Sequence, residues 1–389
     1  MAAKPLIDRS DSIRHNPFAA GGRHQTDISA EATGVWSGCK KMRAVRTIIA
    51  RALLALLLPG VAYLGGVAAL AADENHLPIA IELSLDRPIN AGFAPVVLAA
   101  TDGLFGAEGL AVTTDVAGGS PEAIGRVVSG ASEFALVDIN ALIRFRDHGA
   151  PVKAVFVLFN KAPYAIIARK SRGIHTLADL EGKTLGVAEG DLSIRLWPAL
   201  AHQNGIKLDS VKQNHTSAAV REPMLSAGQI DAVTGFSYLS GVNLRDRGVP
   251  ADDLAVLRFA DYGCEAYGFA VIVNPAFAAR RPEAVKGIVR ALIAGTNLVI
   301  KEPGRAVDEV LSRMDDGSRD LELARLHAVI EDNILTSEVE RNGIGGVDPA
   351  RLERSIGQIG QDFKFSKRPS AAEIFDDSFL PPRDERLIN

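Results

Sequence analysis

Residues 127–141 read VVSGASEFALVDINA, and residues 224–238 read MLSAGQIDAVTGFSY. Both write the same sentence: the apolar end of a helix, a glycine that stops it, an acidic or polar pair, and a short β-rich run that breaks on small or polar residues. In an open α/β sheet such runs end where the ligand crevice lies, at the carboxyl ends of the strands. Written twice, the sentence predicts two lobes that turn corresponding strand tips toward each other. The alternative is that α/β units simply look alike.

The surrounding chain carries the same alternation. IAIEL, EFALVD, KAVFVLF, YAIIAR, TLGVA, IDAVTGF and FAVIVN are short, β-rich and bounded by turn residues. Helical patterns lie between them. Over 282–300, Pro282 suits the first turn, and Val285, Ile288, Val289, Leu292 and Ile293 form one apolar stripe. This points to an α/β architecture with mostly parallel sheets. Beyond about residue 275 helices dominate, and the tail SFLPPRDERLIN reads as an extended strap.

The first 71 residues stand apart. Lys40, Lys41, Arg43, Arg46 and Arg51 precede ALLALLLPGVAYLGGVAALAA, which carries no charge. A basic region, an apolar region and small residues at Ala69 and Ala71 make 42–71 an export signal cleaved near Ala72; the alternative is a retained anchor. Residues 1–41 read as a non-structural extension, with Met42 as an alternative start. Removing 1–71 takes away nine of the 43 basic and four of the 47 acidic residues, leaving a net charge near −9. Such acidity argues against nucleic acid or an anionic membrane surface as partner. Cys39 precedes the apolar run and Cys264 alone remains after it, so the exported chain has no internal disulfide and suits a bacterial periplasm.

Four segments carry a resemblance. In order, NAGFAPVVLAATDGLFGAEGLAVTTDVAGGS (90–120), GIHTLADLEGKTLGVAEGD (173–191), GQIDAVTGF (228–236) and FAVIVNPAFAARRPEAVKGIVRAL (269–292) resemble the periplasmic solute-binding proteins of the nitrate/taurine/aliphatic-sulfonate and thiamine-pyrimidine type. The resemblance implies a type II periplasmic binding protein: two α/β lobes joined by two crossover hinge strands, YAIIAR and FAVIVN. Lobe one then comprises 77–168 and 269–389 with the strap, and lobe two 169–268. It further implies a monomer without cofactor that delivers a small-molecule ligand to an ABC permease and its ATPase subunit.

Candidate ligand contacts follow from the strand tips. Gly92 and Pro95 break the chain after the first strand, which makes Asn90 and Phe93 candidates, although Phe93 is equally suited to packing. Gly119 and Ser120 precede Pro121, with Ser120 as the expected N-cap of a helix whose start attracts anionic oxygens. Asp138 and Asn140 end the first echo, where Asp138 is alternatively a helix cap. In AEGDLSIRLWP, Asp191 and Ser193 suit a cap, and Arg195 suits a carboxylate or sulfonate unless it is a solvated surface group. Trp197 fits a cleft wall or the core. Phe236 and Tyr238 follow the second echo as stacking residues. Glu265, in DYGCEAYG, is placed to meet an amine or ring N–H, or else to bridge the hinge as an ion pair.

Other chemistries find little support. LEGKTLGV lacks the first glycine and the Ser/Thr of a phosphate loop. His175, His202, His215 and His327 fall at no ligand spacing, and no Gly-x-Ser-x-Gly elbow occurs, so neither metal nor catalytic residues are expected. The enzymatic alternative lies within the resemblance: thiamine-pyrimidine synthases share the fold, but are cytosolic and carry a cysteine-rich motif.

Overall fold

A computed structural model describes residues 77–188 and 190–388. The extension 1–41 and the export segment 42–71 lie outside the described residues. Strands β1 (Ile79–Leu85), β2 (Leu110–Val116), β3 (Phe134–Asp138), β4 (Lys153–Val157) and β10 (Phe269–Val273) form one sheet, in the order β2-β1-β3-β10-β4. The second sheet contains β5 (Tyr164–Arg169), β6 (Thr184–Ala188), β7 (Lys212–Thr216), β8 (Ala232–Phe236) and β9 (Leu254–Arg258), in the order β7-β6-β8-β5-β9. The chain leaves the first sheet between β4 and β5 and returns to it between β9 and β10. Each sheet with its helices is a lobe.

The sheets are mixed. β1 pairs in parallel with β2 and β3, and β6 with β7 and β8, whereas β10 and β5 run antiparallel to both of their neighbours. The antiparallel members are the two strands that enter a sheet from the other lobe. Helices that bear on the site are α1 (Ala94–Thr101), α2 (Ser120–Ser129), α3 (Ile139–Asp147), α4 (Trp197–Gln203), α5 (Ala218–Ala227), α6 (Ser237–Asp246), α7 (Pro282–Lys301), α8 (Arg319–Val329) and α9 (Pro349–Ile359).

The doubled sentence occupies equivalent places in the two sheets. Gly130 and Gly228 end α2 and α5 with φ of 79° and 83°, a conformation that glycine adopts at little cost. The following strands, β3 and β8, each finish against the first residue of an incoming strand: Asp138 lies opposite Phe269, and Phe236 opposite Tyr164. One residue on, Ile139 N donates to Gly268 O at 3.0 Å and Ser237 N to Pro163 O at 2.8 Å. α3 and α6 begin at those residues. Both tips are thus tied to the two crossings.

α7 buries the stripe expected of it, with Val285, Ile288, Val289, Leu292 and Ile293 inside. Gly295 lets it lie against α1, because a Cβ there would overlap the Pro95 carbonyl. The tail is partly extended and includes 3-10 turns at Asp377–Phe379 and Arg383–Arg386. It is held to the body where Ile344 N donates to Arg386 O at 2.8 Å. No helix among the described residues is long and apolar enough to cross a membrane.

Candidate functional site

Side chains from both lobes enclose a cavity of about 930 Å³. This volume suits a small organic molecule. Lobe one contributes Arg87, Gly118–Pro121, Asp138 and Arg144; lobe two contributes Ala188, Gly190–Leu192, residues of α5, and Gly235 with the inward face of α6.

The lobe-one wall begins at the end of β1, where Asp86 and Arg87 adjoin. The Arg87 guanidinium donates to both Asp86 carboxylate oxygens, at 2.8 and 2.9 Å. It also lies 4.7 Å from the ring centroids of Phe236 and of Phe269. Burial acts to discharge the guanidinium, but Asp86 outweighs burial and holds its pKa above the ordinary value. Ser120 Oγ donates to Asp86 Oδ2 at 2.6 Å and accepts from Asp138 N at 3.1 Å. The cap position of α2 belongs to Gly119, with φ 134°; Ser120 is the first helical residue, so its expected capping role passes to its neighbour. The first turn of α2 faces the cavity.

Asp138 is buried and well supported. Its Oδ1 accepts from Asn140 N at 2.9 Å and Asn140 Nδ2 at 2.8 Å, and its Oδ2 from the Tyr164 hydroxyl. It therefore caps α3 while also facing the cavity. Burial pushes its carboxyl up to about 6, against the downward pull of the Tyr164 and Asn140 bonds. Tyr164 stands on β5, so its bond to Asp138 joins the two sheets. Arg144 is different: it lies over the Phe363 ring at 4.8 Å, and no ion pair holds it among the described residues. Its buried Nε has no hydrogen-bond partner among them. Burial, and then the nearby charge of Arg195, lower its pKa.

In lobe two, Asp191 organises the wall. Its Oδ1 accepts from Ser193 N and Oγ at 2.9 and 2.7 Å; its Oδ2 accepts from Arg221 Nη1 at 2.9 Å and Thr234 Oγ1 at 2.6 Å. Glu222, the next residue of α5, is 8 % exposed, and its Oε2 accepts from Asn243 Nδ2 at 3.0 Å. Leu239, Ser240 and Asn243 follow one another along a single side of α6, and with Phe236 and Arg247 at its two ends they line the cavity.

Of the sequence-derived candidates, Gly119, Ser120, Asp138, Asp191 and Phe236 meet at this cavity. Asn140 and Ser193 sit one step behind, holding Asp138 and Asp191. The other five lie elsewhere. Asn90 caps the turn Ala91–Phe93 by accepting from Gly92 N at 2.9 Å. Phe93 is buried edge-on against Phe269, with centroids 6.2 Å apart. Tyr238 is buried edge-on against Phe159, in the apolar cluster that holds Phe93 and Phe269. Arg195 is exposed and pairs with Asp362 at 3.4 Å. Glu265 pairs with Arg351 at 3.6 Å and Arg354 at 3.3 Å. Packing claims the two aromatics, and partners in and just beyond α9 claim the two charges. Trp197 is likewise core.

Sequence reasoning missed Arg87, Arg144, Arg221, Glu222 and Asn243. Two signals were legible: Asp86-Arg87 stands directly at the tip of β1, and residues 236, 239, 240, 243 and 247 keep helical spacing after the second echo. Arg144, Arg221 and Glu222 had none, since charged residues on helices ordinarily face water.

Comparison with known proteins places this geometry among relatives. A family model described as "NMT1/THI5 like" matches residues 90–306, more than half of the chain. The chain is 28% identical over 237 residues to the riboflavin-binding protein RibY of Chloroflexus aurantiacus, covering 59% of this chain and 64% of that protein. It is 25% identical over 240 residues to a 4-amino-5-hydroxymethyl-2-methylpyrimidine phosphate synthase of Legionella pneumophila, covering 60% and 73% respectively. Among solved structures it is similar to the periplasmic aliphatic sulphonate binding protein SsuA from Escherichia coli, with a TM-score of 0.63 at 14% identity, over 78% of this chain and 94% of that one. The fold is that of the two-lobed periplasmic binding proteins.

Proposed function

The chain belongs to the NMT1/THI5-like family, and from that premise we propose that it is the solute-binding component of an ABC-type importer. In this reading it is exported to the periplasm, loses residues up to about Ala72, captures a small organic solute and presents the closed form to a membrane permease. The solute belongs to the sulfonate, carboxylate or pyrimidine-like class.

One observation carries the reading: the cavity draws its polar lining from both lobes, so neither lobe alone makes the site. The lobes are joined by two crossings, and each cavity-side strand tip is bonded to one of them. A solute that touches both walls favours the closed arrangement in proportion to those added contacts. Arg144, which no ion pair holds among the described residues, supplies a positive group on the lobe-one wall suited to an anionic group of the solute. Prior pairing of Arg87 with Asp86, and of Arg221 with Asp191, fixes those side chains before a ligand arrives, which lowers the ordering cost of binding.

Synthases among the relatives favour a second reading, an enzyme on the same fold. The described residues that line the cavity include no lysine, histidine or cysteine. Cys264 packs against the core, where burial pushes its thiol up to about 11 and disfavours the nucleophilic thiolate. Native mass spectrometry of protein purified from the cell envelope without denaturation tests the receptor. One small molecule per chain, on a polypeptide beginning near Ala72, is expected. An intact N-terminus retained in the membrane fraction would contradict export with cleavage, and a chain that binds nothing from any fraction would contradict the receptor.

A further inference from the structure

Charges along the cavity fall into two kinds. Arg87 is matched by Asp86, Arg221 by Asp191, and Asp138 is served by Tyr164 and Asn140. Arg247 is exposed, so water screens it. Two groups remain without an ion pair among the described residues. Arg144 of lobe one has no ion-pair partner among the described residues and a buried Nε without an acceptor. Glu222 of lobe two is more than nine-tenths buried, faces the cavity and has a single neutral donor, Asn243 Nδ2, with no ion pair among the described residues. A buried carboxylate in that state gains strongly from a further N–H donor.

Asn243 also fixes where that carboxylate stands. Its Nδ2 donates to Glu222, while its Oδ1 accepts from Arg325 Nη2 of α8 at 2.6 Å. Only one orientation of the amide serves both a carboxylate and a guanidinium. Arg325 is anchored in turn on the buried Glu322, whose Oε2 accepts from Ala91 N at 2.8 Å. Glu222 is therefore set from across the lobe boundary, and its placement depends on the lobes being together.

We infer that Glu222 is the specificity residue of the cavity and that the solute is amphoteric, presenting an anionic group to Arg144 and an amine, amide or ring N–H to Glu222. This rests on the receptor reading and narrows it, since a simple alkyl sulfonate or an inorganic anion leaves Glu222 unserved.

Calorimetric titration of the purified chain with two matched pairs tests the inference: sulfanilate against para-toluenesulfonate, and para-aminobenzoate against para-toluate. Within each pair an amino group replaces a methyl group of similar size. The wild type should prefer the amino member by about tenfold in at least one pair, the scale of a hydrogen bond to a charged group. Glu222→Leu should bind both members alike, and Glu222→Gln, which keeps the shape and an acceptor oxygen, should retain part of the preference. Arg144→Gln should weaken both members equally. Circular dichroism confirms folding of each variant, and the Gln variant decides if Leu is not tolerated. Equal binding of both members by the wild type would remove Glu222 while leaving the receptor reading in place. A preference that survives Glu222→Leu would also remove it, and binding of no member of either pair would overturn the inference, while the native mass spectrum alone decides the receptor.

Discussion

Asp138 shows what one side chain contributes at the junction of the lobes. Its carboxyl rises from the ordinary 3.8 to about 6 because burial penalises the charge. Below the lower value folded and unfolded chains are both protonated; between the two the folded chain holds the extra proton; above about 6 it bears a buried charge that the Tyr164 and Asn140 bonds only partly offset. Stability therefore falls as pH rises from about 4 to about 6, and Asp138→Asn should flatten that window by about 3 kcal/mol, measured by urea unfolding at pH 4, 5, 6 and 7. An unchanged slope would mean that the charge is already compensated. Tyr238 behaves otherwise. It is buried among Phe93, Phe159 and Phe269, so Tyr238→Ala should cost stability by about 3 kcal/mol. Phe236→Ala, at a half-buried ring beneath Arg87, should instead lower ligand affinity more than it lowers the melting temperature. The sequence placed both aromatics at the second echo, but it could not tell them apart. They are two residues apart and their rings stack with centroids 6.0 Å apart, the half-buried Phe236 at the cavity and the fully buried Tyr238 beneath it.

Elements were more legible than side chains. The glycine stops at 130 and 228, the strands between them and their tips, and the stripe of α7 all follow from local chemistry, because left-handed turns and apolar periodicity are decided within a few residues. The segments YAIIAR and FAVIVN were also readable as strands, whereas their antiparallel entry into the opposite sheet depends on topology. The losses came where distant elements meet: Glu265 and Arg195 found partners in and beyond α9, far along the chain. Close approach between elements gives a direct test. Gly295→Ala on α7 would press a methyl group onto the Pro95 carbonyl of α1, and should destabilise lobe one by about 1–3 kcal/mol as measured by urea unfolding. Little loss would mean that α1 shifts freely, which its buried residues Val96, Val97 and Leu98 argue against.

At the scale of the whole molecule, two similar lobes, two crossings and one shared cavity are the parts with which the proposed receptor would close on a solute. The bonds from Tyr164 to Asp138 and from Arg325 to Asn243 link the two lobes at residues of the cavity wall. Capture without conversion is the central claim, and it separates this account from a synthase on the same fold. The most direct measurement follows the solute itself. The molecule released from the native protein is returned in slight excess to fresh protein, held for a day, and recovered for mass spectrometry and proton NMR. The account predicts one site per chain and a solute recovered unchanged in mass and spectrum. A recovered product of different composition, formed in proportion to the protein and lost in Glu222→Leu, would show that the cavity performs chemistry and would contradict it.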